Sequence, residues 1–459
     1  MMIGAIDWLA REVTLFAAVF MAIGGVDDLL MDAIYIARIW LFRQSHVSAD
    51  ALEGRAPKRF AIFVPAWDES AVIEAMLRST LQRWPCATYR IYVGTYPNDA
   101  ATIAAVARVA AEDARVRLVV GTNPGPTTKA DCLNSLWRAL LRDEAVEQAR
   151  VDAIVLHDAE DVVDPAELRV FSAYLDMHGA VQLPVVPLVA SGSRMVSGHY
   201  LDEFAQAHGM ALPVRQLLRA SMPLAGVGCA IRRDLVQRIA DLRGVPFDAA
   251  SLTEDYELGI TLRAMGAPCV FVRAVRGEEA TLVAVRAFFP ATLSTAVRQK
   301  ARWMAGIALA GWDRTGWARW RELGDHWMRM RDRRVTLAMP VLALAYGALV
   351  LWAISGGLHL AAGTSPPGLE GWAAVLLLVN TGLLAWRLLM RVLLVGSGHG
   401  WREALWSIPR MLVANAIALL AARRALGIYI GLLRGGPLRW DKTAHHFPGM
   451  GGGADPAAA

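Results

Sequence analysis

Apolar positions follow two regimes along the chain. Toward both ends they run together without interruption: residues 13–26, 335–358 and 371–386 carry no charged side chain. The second of these exceeds the roughly 20 residues a helix needs to cross a bilayer core. The third is shorter and spans only if Arg387 and Arg391 snorkel toward the headgroups. The first reads as an uncleaved span and not a signal peptide, because only Arg11 supplies positive charge ahead of it and no small-x-small cleavage site follows. A fourth stretch, residues 411–433, carries Arg423 and Arg424 near its centre. Charge there is costly in hydrocarbon, so this stretch reads as an interfacial helix.

Between residues 57 and 320 short β-rich runs alternate with longer helical periods, the pattern of an α/β layer with a parallel-leaning sheet. Strands are predicted at 59–64, 90–94, 116–120 and 153–156, and helices at 69–83 and 100–112. The chain thus divides into an N-terminal segment of transmembrane and amphipathic helices (1–56), an α/β domain (57–320), membrane and interfacial helices (321–435) and a cytoplasmic tail (436–459) whose Gly/Ala-rich end, 449–459, is expected to be disordered.

Composition sharpens this picture. Of 459 residues, 55% are hydrophobic and 19% charged. Such a chain is neither disordered nor collagen-like. The four cysteines are scattered, with no CxxC pair and no Cys/His cluster, so neither a zinc site nor a disulfide framework is suggested, and a reducing compartment fits best. The +5 net charge comes from Arg clusters flanking apolar stretches, not from runs suited to nucleic acid. Arg38, Arg43, Arg55, Lys58 and Arg59 follow the first span, and Arg329, Arg331, Arg333 and Arg334 precede the second. The loop 359–370 has no Lys or Arg. The positive-inside rule therefore places the α/β domain in the cytoplasm, with that loop on the opposite side of the membrane.

Three polar clusters carry candidate chemistry. Strand 153–156 ends at Asp158, Glu160 and Asp161, at the sheet edge where open α/β folds bind ligands. Carboxylates there suit a hard divalent cation bridging phosphates, although ordinary loop acidity produces the same pattern. Thr253-Glu254-Asp255 opens a helix reaching residue 264. Thr253 is expected to cap it, while Asp255 is a candidate general base. Gln299, Arg302 and Trp303, at i, i+3 and i+4, share one helical face, bringing together an amide, a guanidinium for a pyrophosphate and an indole for a sugar ring. An amphipathic helix accounts for the third cluster equally well when it is taken alone.

In series and ahead of a membrane span, the three clusters resemble the family 2 glycosyltransferases of GT-A (Rossmann-like) fold. Pro65, Asp68 and Glu69 resemble that family's first nucleotide loop, and Lys129 with the following residues to Asn134 its Lys/Asn segment. Gly226 and Gly228 stand where the family places glycines under the donor sugar. Asp27-Asp28-Leu29, Tyr96-Pro97-Asn98-Asp99, His157 to Asp161, Phe289-Pro290, Trp440-Asp441-Lys442-Thr443 and His446-Phe447-Pro448 resemble the phage-adsorption protein B (NfrB-type) membrane glycosyltransferases.

This resemblance implies an inverting bacterial inner-membrane enzyme that transfers sugar from a nucleotide sugar to a saccharide or lipid-linked acceptor, building an envelope or exported polysaccharide. It implies Asp255 as base with Glu254 and Thr253 at the acceptor end, and Mg2+ or Mn2+ on Glu160, with Asp158 near the ribose and Asp161 in reserve. Arg302 would face the leaving pyrophosphate, with Trp303 stacked on the acceptor. The resemblance also raises an outer-membrane export partner, whereas control by cyclic di-GMP is unsupported by this sequence unless a separate chain supplies the regulator. In place of the family's usual Asp pair for uracil stands Gly94-Thr95-Tyr96-Pro97-Asn98-Asp99, with Asp99 as the substitute. The rival readings are a single-sugar transferase, a nucleotide-sugar-binding transporter and a non-catalytic scaffold or phage receptor.

Overall fold

The computed structural model describes residues 2–42, 47–54, 56–85, 88–436 and 447–448. Cys86, the stretch 440–446 and the tail from residue 449 lie outside the described residues.

The central domain is built on a seven-stranded sheet. In chain order come α1 (Met2–Phe42), β1 (Phe60–Pro65), α2 (Ile73–Arg83), β2 (Tyr89–Thr95), α3 (Ala100–Glu112), β3 (Val116–Val120), α4 (Lys129–Glu147), β4 (Ala153–Leu156) and α5 (Glu167–Tyr174). Then follow β5 (Ala180–Gln182), β6 (Val185–Leu188), α6 (Gly198–Gln206), β7 (Cys229–Arg232), α7 (Arg233–Arg243), α8 (Glu254–Ala264), β8 (Cys269–Phe271), β9 (Val285–Phe288) and α9 (Leu293–Trp303). The sheet order is β3-β2-β1-β4-β7-β5-β8. The first four of these strands are mutually parallel, β7 runs antiparallel to both β4 and β5, and β6 and β9 pair separately in parallel.

Residues in β1 alternate between two cores. Phe60, Ile62 and Val64 face one hydrophobic cluster, Ala61 and Phe63 the other, and all five are essentially fully buried. A sheet covered on both faces needs continuous apolar strands, which is why RFAIFV was readable as one. The helix anticipated at 69–83 starts only at Ile73. Asp68 takes a left-handed φ of 53°, and the N–H groups of Asp68 and Glu69 donate to Asp99 and Thr102, so the chain turns before it coils.

Among the described residues, three helices are long and apolar enough to cross a membrane: α1, α11 (Val335–Ala362) and α12 (Trp372–Leu433). The first is much longer than its uncharged core and continues through Asp27 and Asp28. Those carboxylates meet Arg331, on α10 (Leu323–Arg333), and Arg334 just beyond it in a two-by-two lattice, with Asp28 at 2.8 and 2.7 Å from the two guanidinia. Opposite charge thus lets acid side chains sit within a helix that sequence alone would have ended.

The stretches 371–386 and 411–433 belong to one element, α12, broken at Gly400 (φ 80°, ψ 166°). Arg387 and Arg391 at the far end of the shorter stretch do not simply reach for headgroups. Arg391 lies 3.1 Å from Asp202 of α6, and Arg387 approaches both Gln206 and Asp32. Past the break, α12 packs on α6 and α9 of the α/β domain. The fully buried Arg410 anchors it there, on Asp202 at 3.2 Å, on Glu403 and on the Arg194 carbonyl at 2.9 Å.

Candidate active site

Because β1, β2 and β4 are parallel, their carboxyl ends open at one edge of the sheet, and the loops that leave them meet there. Asp99 organises the first two loops. Its carboxylate accepts the Thr102 N–H as the cap of α3 and the Asp68 N–H at 2.6 Å. Asn98 exchanges two hydrogen bonds with the Gly125 backbone, and Trp67 meets Tyr96 edge to face at 5.1 Å. Pro65, Asp68 and Glu69 thereby join a shelf whose shape is fixed by side chain to backbone bonds. Each oxygen of Asp99 thus accepts one backbone N–H, which fixes the carboxylate in the loop and leaves each oxygen a further lone pair.

The acidic cluster after β4 is more differentiated than its spacing suggests. Asp158 and Glu160 line a cavity, and Lys129 at the start of α4 places its Nζ 2.6 Å from Asp158 Oδ1. Thr128 caps α4 by accepting the Asp131 N–H, which fixes where Lys129 emerges. Burial alone would depress the Lys129 ammonium, but the carboxylates of Asp158, Glu254 and Asp255 prevail and hold it above its usual range.

Asp161, the anticipated reserve metal ligand, has another occupation: its Oδ2 accepts from the Asp158 N–H at 3.0 Å and from His157 Nδ1 at 2.9 Å. The other ring nitrogen of His157 is 2.9 Å from Glu167, and all three side chains are buried. Burial opposes charge on this ring, yet Glu167 and Asp161 lift it to about 10, so His157 is an imidazolium donating on both sides. Sequence reasoning missed this strut beneath the acidic loop. Acids at i+4 and i+10 from a histidine at a strand end were its only signal.

Across the cavity, Glu254 and Asp255 sit in the first turn of α8. Thr253 occupies the cap position but makes no capping bond, and its buried Oγ1 has no hydrogen-bond partner among the described residues, which corrects the expectation of a Thr cap. Ser251 organises the turn instead, accepting the Thr253 N–H and donating to Glu257 at 2.7 Å. Asp255 accepts the Tyr256 N–H at 2.7 Å through Oδ1. Its Oδ2 lies against Gly226, where a Cβ would stand only 2.4 Å away. Gly226 also holds φ at +73°, so glycine is required there twice over. Gly228 is packed instead against Val285 of β9. Burial, reinforced by Asp255, pushes Glu254 up to about 7, with Lys129 opposing. Asp255 is likewise raised, by burial first, against the pull of Lys129 and Arg302.

Gln299, Arg302 and Trp303 of α9 line the same cavity, as their spacing required. Gln299 presents a buried Oε1 without a partner among the described residues. Trp303 stands in an aromatic wall with Tyr200, Phe204 and Phe289, ring centroids 6.2–6.5 Å away. Lys300 turns the other way and ties α9 to Glu203 of α6 at 2.6 Å. Phe289-Pro290 had been singled out by resemblance alone, and the aromatic contribution of α6 had no distinct sequence signal.

Among the described residues, no trio of His, Cys, Asp or Glu is placed to hold a metal ion unaided. The donor set nevertheless fits a hard cation that shares its coordination with phosphate. Among the described residues, Asp158, Glu160, Asp161, Glu254 and Asp255 line the cavity with Lys129 and Arg302, and Mg2+-type sites commonly take one or two carboxylates plus substrate oxygens.

A cavity at the carboxyl edge of a mostly parallel sheet, lined by these three clusters, is matched by the family model described as glycosyltransferase like family 2, over residues 57–306. That is more than half of the chain. The chain belongs to this family. It is 36% identical over 484 aligned positions to bacteriophage adsorption protein B of Escherichia coli strain K12, and equally to bacteriophage N4 adsorption protein B of Escherichia coli O157:H7. The alignments take in 97% of this chain but 63% of those relatives' length. Among solved structures, the mannosyltransferase of Pyrobaculum calidifontis in complex with GDP-mannose and Mn2+ superposes with a TM-score of 0.54 at 18% identity, covering 90% of this chain and 99% of that one. The family 2 glycosyltransferase domain thus has a GT-A-like fold and carries three helices suited to a membrane.

Proposed function

We propose that the chain is an inverting glycosyltransferase at the cytoplasmic face of a bacterial inner membrane. It moves a sugar from a nucleotide sugar, a UDP-hexose or UDP-N-acetylhexosamine, to a hydroxyl of a growing envelope or exported polysaccharide. The observation that carries this reading is Asp255: a half-buried carboxylate with a raised pKa, pressed on Gly226 and lining a cavity that also holds Lys129, Asp158 and Glu160. The two curated relatives are named for phage adsorption, which suits a product displayed on the envelope.

In this mechanism the shelf formed by Pro65, Asp68 and Glu69 holds the nucleoside. Asp158 and Glu160 would hold Mg2+ or Mn2+, which neutralises charge on the leaving diphosphate when bound. Lys129 and Arg302 add fixed positive charge on the same side. The acceptor hydroxyl attacks the anomeric carbon, its proton passes to an oxygen of Asp255, and the glycosidic electron pair leaves with the nucleoside diphosphate. Trp303 and Phe289 offer flat apolar surface to the acceptor ring, and His157 keeps the acidic loop in register through Asp161.

The test is label incorporation from a panel of radioactive nucleotide sugars by membranes carrying the chain, with and without EDTA. EDTA-sensitive incorporation from one donor into long product supports the reading. A single glycolipid product moves it to one-sugar transfer, and no turnover with intact donor binding moves it to a scaffold.

A further inference from the structure

We propose that the groove between α11, the second half of α12 and the π-helix Met304–Ala310 binds an anionic phospholipid, with an acyl chain along Met339, Ala343 and Leu426 and the phosphate at Arg423. The groove encloses about 280 Å³, and Thr336 and Arg423 are the polar side chains in its lining. It begins at Val335, directly after Arg333 and Arg334, where basic residues mark the level of the headgroups. An apolar cleft of this kind is costly against water and costs nothing against hydrocarbon.

Arg423 supplies the chemical preference. It is exposed and makes no ion pair or hydrogen bond among the described residues, unlike Arg387, Arg391 and Arg410 on the same helix. An unpaired guanidinium on the rim of an apolar groove at headgroup depth complements a lipid phosphate.

The groove also touches the candidate active site through one wall. Met304 and Ala308 of the π-helix face it, while Gly306 presses on Thr253, where a Cβ would lie 2.5 Å from Oγ1. Close packing leaves that helix little freedom to move without carrying the Thr253-Glu254-Asp255 turn with it. Lipid in the groove therefore braces the turn that holds Asp255. The binding site stands independently of the transferase reading, and its effect on turnover rests on it.

Native mass spectrometry of the detergent-purified full chain, titrated with phosphatidylglycerol, phosphatidylcholine or a prenyl phosphate, tests the site. Phosphatidylglycerol should bind on the order of five-fold more tightly than phosphatidylcholine, the worth of one basic residue beside an anionic headgroup. Arg423→Gln should erase that preference, and Ala343→Phe should remove binding of both lipids. Ala422→Phe fills the groove from the opposite wall if the first filling variant does not fold. In nanodiscs, phosphatidylglycerol should raise turnover of the wild type and not of the filled variant. Equal binding of the two phospholipids, unchanged binding by both filled variants, or preference for the prenyl phosphate overturns the site. Selective binding with turnover indifferent to lipid overturns the coupling. Selective binding with no turnover under any lipid counts against the transferase reading and leaves the site standing.

Discussion

Gly226→Ala separates folding from chemistry at the residue on which the mechanism turns. Two costs can be assigned. Holding alanine at φ +73° costs about 1–2 kcal/mol, the usual penalty for a Cβ in the left-handed region. The new methyl would also stand 2.4 Å from Asp255 Oδ2, so the carboxylate must retreat by about 1 Å to regain ordinary contact. A misplacement of that size at a reacting group costs roughly 100-fold in rate. Gly266→Ala isolates the first cost, because Gly266 holds φ +78° with open space around its Cα. Both variants should lower the melting temperature by several degrees, about 2–4 °C for each kcal/mol in a domain of this size. Only Gly226→Ala should lose about two orders of magnitude in kcat, measured as initial-rate label transfer at saturating donor. Near-wild-type turnover in Gly226→Ala, or an equal loss in Gly266→Ala, would refute the placement of Asp255 as the proton acceptor.

Other perturbations follow from the same geometry. Glu254 titrates at about 7 in the folded protein against an ordinary value of 4.5, so its contribution to stability is complete below about 4.5 and is lost as pH rises through about 7. Melting curves from pH 4 to 9 should show that loss, and Glu254→Gln should flatten it. Arg410→Ala removes the buried guanidinium that ties α12 to Asp202 and leaves a void there, while Asp202 keeps Arg391 and Glu403 keeps Arg194, so this variant should melt below wild type and Arg410→Ala with Arg391→Ala, which strips Asp202 of both partners, lower still. EDTA should abolish transfer, and Glu160→Ala should need far more Mn2+ for half-maximal rate while its melting curve stays near that of wild type.

Much of the α/β scaffold was legible because β1 and β4 are uninterrupted apolar runs, closed by Pro65 and followed by His157-Asp158, while β3 is a short valine-rich run with one polar residue, Arg117, ahead of Gly121. Residues 116–120 and 153–156 and the helix 100–112 were delimited by local chemistry alone. The face shared by Gln299, Arg302 and Trp303 followed from helical spacing. What escaped was long-range. The reach of α1 past Asp27 and Asp28 depends on Arg331 and Arg334, some three hundred residues away, and the continuity of α12 on contacts with α6 and α9. That Asp99 and Asp161 also hold backbone N–H groups was invisible, because a sequence does not show which loop amides a carboxylate will meet. His157 was passed over for the same reason, since its partner Glu167 comes close only once α5 folds back on the strand end.

The central claim is that Asp255 accepts the proton during sugar transfer. The most direct measurement compares Asp255→Asn with wild type in two assays on the same membranes: dissociation constant for the sugar donor and rate of label transfer. The mechanism predicts donor affinity within about two-fold of wild type and a rate lower by about 10²–10⁴-fold, the usual worth of a positioned base. Transfer by Asp255→Asn at the wild-type rate would contradict it.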